Sequence, residues 1–454
     1  MPVDFKIKEF FYPVSILRMR CFLEKSQWFT PEKLREYQIK RLGVILKQAY
    51  DNVPYYRNLF DSLKLKPADF KTLEDLRKLP TLTKQVIRQN ASQLLARNSD
   101  KLHAKLYSTS GSTGEPIDFY LDKPANILEF CYYWRHWSWA GYRLGKRFAE
   151  LTSTSFLNNN GAGQLVYRFS PLTARLQINS LTLGADNIKK YADAIRKYNP
   201  RYLNGLASSL YFFALLLKNA GINDISFDGI ISQGEMLLPS YRKVIETVFH
   251  CNVLDSYGHM ERTVAISQCP RGKYHINSEY GILELENKQA LPGGGVIGTV
   301  VGTSLHNFSM PFIRYELNDR IELSAFDSPC ACGRGLPGIK KIHGRQEDVI
   351  ITPDNRIITD LFTLFDDIPG IELGQIIQET KQKLYLKIAK NKSFNQAGEQ
   401  SVLNSLRKYV GSRMKIDIEY VPLEDLKREN PGKIRIIVSH IKPYVGDEIN
   451  EELL

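Results

Sequence analysis

The sequence predicts a multidomain α/β and α+β protein. A large N-terminal domain of mixed sheets flanked by helices precedes a small C-terminal α+β domain. Three observations predict this. The 454 residues suffice for two or three domains. From about residue 105, short strand-like runs alternate with helices of roughly 10–15 residues. After Gly344-Arg345, a block of about a hundred residues carries its own strands and amphipathic helix.

Residues 1–104 read as mostly helical, the first part of the large domain. Thr30-Pro31-Glu32 marks a helix start with proline just inside it. Leu34, Tyr37, Leu42, Ile45, Leu46 and Ala49 share one broad helical face, which Gln38 and Arg41 interrupt. Pro54, Pro67, Pro80 and the Thr81/Thr83 pair punctuate the short helices that follow.

Residues 105–345 are expected to form the core of the large domain. Pro124–Ala140, Ala185–Tyr198, Ser208–Ala220 and Pro239–Phe249 predict helices. Gly229–Ser232 and Asn252–Asp255 predict strands. From 274 to 325 the chain turns β-rich, with strands at Gly281–Glu286, Gly298–Thr303 and Arg320–Ser324. Gly293-Gly294-Gly295-Val296-Ile297-Gly298 matches a dinucleotide fingerprint, but it runs into strand-like sequence instead of a helix. A hairpin turn is expected there.

In residues 346–454, strands are expected at Asp348–Ile351, Arg356–Ile358, Leu373–Glu379, Lys383–Ala389, Lys415–Val421 and Ile434–Val438. Ala397–Val410 predicts an amphipathic helix.

The net charge of +12 admits nucleic acid, an anionic membrane surface or anionic small molecules as partners. No nucleic-acid module is present, and the basic residues are scattered. No apolar run approaches the roughly 20 residues needed to span a bilayer. Asp4, Lys6, Lys8 and Glu9 break any signal-peptide pattern, so a cytoplasmic protein is expected. Residues 5–23, with Phe5, Phe10, Phe11, Val14, Leu17, Met19 and Phe22 among basic side chains, suit either peripheral membrane contact or docking on the domain's own core. Six cysteines are few for the length, so no disulfide framework is expected.

Ser108, Thr109, Ser110, Gly111, Ser112, Thr113 and Gly114 place five hydroxyls and two glycines in seven residues. Such a loop can cradle phosphates through inward-turned amides, or it can be a solvated linker. No Walker-type lysine follows, which disfavours an ordinary P-loop.

Four further segments decide between these. They are Ser256-Tyr257-Gly258-His259-Met260-Glu261, Pro311 to Arg320 (PFIRYELNDR), Gly344-Arg345-Gln346-Glu347-Asp348 and Glu429-Asn430-Pro431-Gly432-Lys433. In this order and at these separations, the set resembles the adenylate-forming superfamily. Ala49 to Arg57 (AYDNVPYYR) and Leu79 to Lys84 (LPTLTK) are similar to its phenylacetate–CoA ligase-like branch, including homologues found with capsule and surface-polysaccharide genes.

The resemblance implies a large adenylation domain and a small mobile lid. It implies that Ser108–Gly114 hold the β- and γ-phosphates of ATP. Tyr257 would stack on adenine beside Gly234 and Glu235. Glu261 would bind Mg²⁺. Asp319, assisted by Arg345, would take the ribose hydroxyls. Lys433 would reach the substrate carboxylate and the α-phosphate, where a cation stabilises developing charge. Two departures stand out. The usual Thr-Gly-Asp is Leu317-Asn318-Asp319, and the usual hinge aspartate falls at Glu347.

Cys269, His275, Cys330 and Cys332 form a second constellation, suited to a structural Zn²⁺ of the Cys₃His type or to free buried thiols. Cys251 and His259 are alternative ligands. Trp134, Trp137, Trp139, Tyr132 and Tyr133 suit either an acceptor pocket or helix packing.

The expected activity is ATP-dependent activation of a carboxylate as acyl-AMP, with transfer to a thiol such as CoA or to an amine. An amide-forming ligase acting on a sugar acid or amino acid in surface-polysaccharide assembly is the same-class alternative. A non-catalytic nucleotide-binding or scaffold protein is the alternative of another class.

Overall fold

The structure, a computed structural model, describes residues 13–108, 117–152, 165–171, 173–184, 186–325, 328–345, 350–353, 357–358, 361, 364–365, 368–426, 428–429, 433–434 and 436–441. Two compact units divide the chain. One runs to Leu237 and resumes from Tyr241 to Gly344; the other starts at Arg345 and includes Leu238–Ser240.

The first unit begins with α1 (Pro13–Ser26), α2 (Pro31–Asn52), α3 (Pro54–Ser62), α4 (Lys84–Gln89) and α5 (Ala91–Leu94). Thr30 caps α2 by accepting from the Lys33 N–H. The polar residues that interrupt the α2 stripe dock on backbone: Gln38 donates to the Gly281 carbonyl at 2.8 Å and Arg41 to that of Leu305 at 2.8 Å. A hairpin follows, β1 (Lys105–Ser108) with β2 (Asp118–Leu121), and then α6 (Lys123–Trp139).

Asp122 anchors α6. One carboxylate oxygen accepts from the Ala125 N–H and the other from those of Phe308 and Ser309. Further along, Arg135 pairs with Glu279 at 2.7 Å in full burial and also donates to the Leu23 carbonyl. Leu23 of α1 packs on Leu128, Cys131 and Tyr132, while Val14 and Leu17 stay exposed. The described part of the N-terminal amphipathic segment is thus docked on α6. No helix among the described residues is long and apolar enough to cross a membrane.

The centre of the unit is a nine-stranded mixed sheet. In chain order its strands are β3 (Phe148–Thr152), β4 (Tyr167–Ser170), β5 (Arg175–Asn179), β6 (Tyr202–Gly205), β7 (Gly229–Gln233), β8 (Val253–Gly258), β9 (Ala265–Gln268), β10 (Tyr274–Ile276) and β14 (Gly338–Ile339). They lie in the order β14-β10-β9-β8-β7-β6-β3-β5-β4, parallel from β5 through β3, β6 and β7 to β8. Helices α7 (Ile188–Tyr198), α8 (Ala207–Asn219) and α9 (Pro239–Phe249) connect the parallel strands.

This sheet is two-sided in an unusual way. Ala149, Leu151, Leu176, Ile178 and Leu203 are apolar, as a buried parallel sheet should be. Their alternates Glu150, Thr152, Arg175, Gln177, Asn179 and Asn204 are polar, and they too are buried. A polar face inside a domain costs desolvation unless it is bonded.

A four-stranded antiparallel sheet adds β11 (Gly281–Ala290), β12 (Val296–Ser304), β13 (Tyr315–Leu323) and β15 (Lys341–Arg345). The glycine run is the β11–β12 turn: Gly293 and Gly294 have φ near +90°, and Leu291 donates to the Gly295 carbonyl.

The second unit pairs β16 (Ile350–Ile351) with β17 (Ile357–Ile358). Its main sheet contains β18 (Ile371–Thr380), β19 (Lys383–Lys390), β20 (Lys415–Tyr420) and β23 (Ile437–Ser439), ordered β20-β19-β18-β23. Helix α10 (Gln396–Val410) buries Val402, Leu406 and Val410, at helical spacing. A two-residue ladder joins β21 (Arg428–Glu429) to β22 (Lys433–Ile434).

Candidate functional site

The expected phosphate loop leaves the end of β1. Ser108, opposite Asp118, donates its hydroxyl to that carboxylate. Residues Thr109–Gly114 lie outside the described residues. The root of the loop is tied down: the Tyr107 hydroxyl donates to Asn126 Oδ1 at 3.1 Å, and Arg262 Nη1 donates to the same oxygen at 2.7 Å. The Arg262 guanidinium also lies 5.7 Å from the centre of the Tyr107 ring and 4.0 Å from Glu129.

Arg262 was not among the residues singled out from the sequence. Its signal was its place directly after Glu261, at a turn where it takes φ of +56°. That backbone state is uncommon for a side chain of its size.

The expected adenine and ribose residues meet. Tyr257, the penultimate residue of β8, donates its hydroxyl to Asp319 Oδ2 at 2.6 Å. Asp319 sits on a bulge of β13. Between the Val301–Glu316 and Thr299–Arg320 pairs, β13 carries two more residues than β12. Asn318 makes this possible at φ of +59°. Asparagine tolerates that left-handed state, so it does here what glycine does in the Thr-Gly-Asp pattern.

Glu261 is buried, and its Oε1 accepts from the Tyr315 hydroxyl at 2.7 Å. Gly234 follows β7 with φ of +76°. The next residue, Glu235, accepts from the Ser208 N–H at 2.8 Å, placing an anion at the start of α8. Both stand at the carboxyl ends of parallel strands, where open α/β sheets bind ligands.

Arg345 ends β15 and Lys433 begins β22. Their side chains and Glu347 lie outside the described residues.

His259 accepts from the Thr263 N–H through Nε2 at 3.0 Å, and burial pushes its pKa down to about 4 against the pull of the Asp319 carboxylate. It is a neutral ring beside Tyr257. Neither it nor Cys251 belongs to the cysteine cluster.

That cluster forms. The ligand atoms of Cys269, His275, Cys330 and Cys332 all lie within 4.8 Å of one another. Cys269 and Cys330 sulfurs are 3.7 Å apart, and Cys332 Sγ is 3.4 Å from His275 Nε2. The first separation is far beyond a disulfide's ~2.05 Å. It matches the ~3.8 Å edge of a tetrahedron with 2.3 Å metal–sulfur bonds. His275 Nδ1 donates to the Leu336 carbonyl at 2.9 Å, which turns the Nε2 lone pair toward the thiols. Burial would raise the Cys332 thiol, but the Arg334 backbone N–H and guanidinium outweigh it and hold it below its usual value.

The aromatic residues of α6 divide. Trp139 donates to Gln27 Oε1 at 2.9 Å beside the cysteine cluster, and Tyr132 donates to the Ile266 carbonyl. Trp137 packs with Tyr142, Phe148 and Tyr202 on the polar face of the large sheet, with Tyr133 and Trp134 beside them.

Comparison with known proteins fits this geometry. The CapK C-terminal domain family matches residues 350–440. The chain is 23% identical to Protein CapK of Staphylococcus aureus over 421 residues, 90% of each chain. It is 27% identical to a phenylacetate-coenzyme A ligase of Pseudomonas putida over 346 residues, 73% of this chain and 75% of that one. The chain is a homologue of CapK and of the phenylacetate-coenzyme A ligases. Its fold is that of 2-hydroxyisobutyryl-CoA ligase, solved in the postadenylation state with R3-HIB-AMP, at a TM-score of 0.71, 17% identity and 90% coverage of both chains. Like that ligase, the chain has a large N-terminal and a small C-terminal unit.

Proposed function

We propose that the chain is an ATP-dependent adenylate-forming ligase that activates a carboxylate as acyl-AMP and passes the acyl group to CoA. The observation that carries this is the hydrogen bond that joins Tyr257 to Asp319, 62 residues apart, with the buried Glu261 held by Tyr315 of the same strand as Asp319. The ligase names of its relatives support the same reading.

In this reading the Ser108–Gly114 loop holds the ATP phosphates, Gly234, Glu235 and Tyr257 border adenine, and Asp319 with Arg345 holds the ribose. Lys433 stabilises the charge that develops as carboxylate oxygen attacks the α-phosphorus and pyrophosphate leaves. Glu261 offers a hard oxygen ligand for Mg²⁺, which would neutralise phosphate charge. The Tyr315 hydroxyl orients that carboxylate. Glu347 takes the hinge position from which the small domain would rotate between half-reactions.

The Cys₃His cluster fits a structural Zn²⁺, by donor type, tetrahedral spacing and an oriented histidine. The ion would tie the 330–336 segment to the β9–β10 hairpin.

Carboxylate-dependent exchange of pyrophosphate into ATP tests the reading, followed by addition of CoA or amines to the acyl-AMP. Lys433→Ala is expected to fold and to lose adenylation by about 10²–10³-fold. Full exchange in that variant would refute the role of the lysine. An absence of exchange with every carboxylate would favour a scaffold instead, and product with amines alone would favour an amide ligase.

A further inference from the structure

Helix α1 has two faces, and the packing against α6 uses one of them. Leu23 packs on Leu128, Cys131 and Tyr132, with Ile16, Met19 and Phe22 beside them, and Ser26 is fully buried. On the opposite face Val14, Leu17, Arg18, Cys21 and Lys25 are all exposed. At 3.6 residues per turn these five fall within an arc of about 100°, centred opposite Leu23. Trp28 extends the stripe into the next turn, where its N–H donates to the Lys25 carbonyl.

The stripe is apolar at both ends. Val14 and Leu17 are 60% exposed and Trp28 is 54% exposed. Of the ten large hydrophobic side chains exposed among the described residues, these three share the short stretch 14–28. Single exposed apolar residues are ordinary, whereas a cluster marks an interaction surface.

The charge of the stripe has one sign. Arg18 and Lys25 stand among the apolar residues, and no acid does. Glu24, at the edge, is half-buried and accepts from the Gln27 amide at 3.2 Å. Arg334 adds a cation 5.1 Å from the centre of the Trp28 ring.

These features choose among occupants. A second copy of the chain would set Arg18 and Lys25 against their own equivalents, which like charge opposes. A groove that grips a helix must reach around it, but α6 covers the inner side of α1. A flat anionic surface meets both conditions. Apolar side chains enter the interface while the cations reach the headgroups.

We propose that the outer face of α1 rests on an anionic lipid bilayer, with Val14, Leu17 and Trp28 at the headgroup–acyl boundary and Arg18 and Lys25 on lipid phosphates. The sequence posed membrane contact and docking on the core as alternatives for this segment; α1 makes one with each face. The contact is independent of the adenylation reading.

Flotation of the full chain with phosphatidylcholine vesicles, with and without phosphatidylglycerol, tests it. Partitioning onto the anionic vesicles is expected to exceed that onto the neutral ones by about 10-fold or more, and to fall as salt rises. Leu17→Glu puts an anion into the apolar stripe and should lower partitioning by about 10-fold or more. Arg18→Gln with Lys25→Gln should lower it by about 30-fold, roughly 5-fold for each cation. The same loss of charge on α7, Lys189→Gln with Lys190→Gln, should stay within about 3-fold of wild type, because those lysines lie outside the stripe. Thermal melts verify folding, and the paired α1 variant decides the matter if Leu17→Glu fails to fold. Equal partitioning onto neutral and anionic vesicles, full binding by the α1 variants, or an equal loss in the α7 control would overturn the proposal. A dimer seen by light scattering without lipid and abolished by Leu17→Glu, with no vesicle binding, would assign the face to a second copy instead.

Discussion

Replacing Arg262 by methionine tests whether the loop root is a built electrostatic junction. The guanidinium lies within 4.0 Å of Glu129 and donates at 2.7 Å to Asn126, and both charged side chains are no more than 15% exposed. Methionine keeps the stem and removes the charge. Glu129 is then left buried with the Tyr280 hydroxyl as its remaining named donor. Stranding one member of a buried pair costs about 3–5 kcal/mol. Glu129→Gln in the same chain removes the stranded charge, so the double variant should recover to within about 1–2 kcal/mol of wild type. Urea melts of the two single variants and the double, followed through the transition of the large unit, measure the coupling. A single-variant loss under about 1 kcal/mol, or a double variant no more stable than Arg262→Met, would refute the argument. A second readout separates positioning from stability. Because Tyr107 leads into the loop we propose holds the phosphates, the double variant should keep a KM for ATP raised about 10-fold, at little change in the KM for the acid.

Three other outcomes are expected. Asn318→Gly should preserve the β13 bulge, whereas Asn318→Val should cost about 1–3 kcal/mol and weaken ATP binding, because a β-branched residue resists φ of +59°; thermal melts and ATP titration check this. Purified protein should hold about one zinc per chain, and Cys332→Ser should lower both zinc content and melting temperature; zinc far below stoichiometric in the wild type would count against the site. Acid should destabilise the protein through buried histidines. Burial holds His136 at about 4 in the fold, below its ordinary 6.5, so the unfolded chain takes the proton first as pH falls. The stability present above pH ~6.5 is lost at up to about 1.4 kcal/mol per unit down to about 4. Asp255, raised to about 6 by burial, has the opposite sign and offsets part of that slope. His136→Gln should therefore flatten the acid limb of a pH–stability curve, and an unchanged limb would refute the account.

Periodicity and punctuation made most helices legible. Pro239–Phe249 has the bounds expected, and Ala397–Val410 differs from α10 by one residue. Thr30 and Pro31 announce α2 because a cap and a fixed φ act locally. The strands β3, β5 and β6 were harder to see. Their alternate positions are polar yet buried, so FAELT, RLQIN and YLNG lack the apolar runs expected of a parallel sheet.

What the sequence by itself determined is the residue inventory and its order: the hydroxyl-rich loop, the Tyr257, Asp319 and Lys433 motifs, and four metal-type ligands. These depend on side-chain chemistry and short-range backbone preference, which a linear chain carries. Only the tertiary structure decided which of the described groups meet. It joined Tyr257 to Asp319 through a bulge that Asn318 permits, gathered Cys269, His275, Cys330 and Cys332 within 4.8 Å, and left His259 outside them. It also packed Trp137, which the sequence left between an acceptor pocket and helix packing, against Tyr142, Phe148 and Tyr202. Such meetings depend on strand register and helix docking across tens to hundreds of residues, and no local preference encodes them.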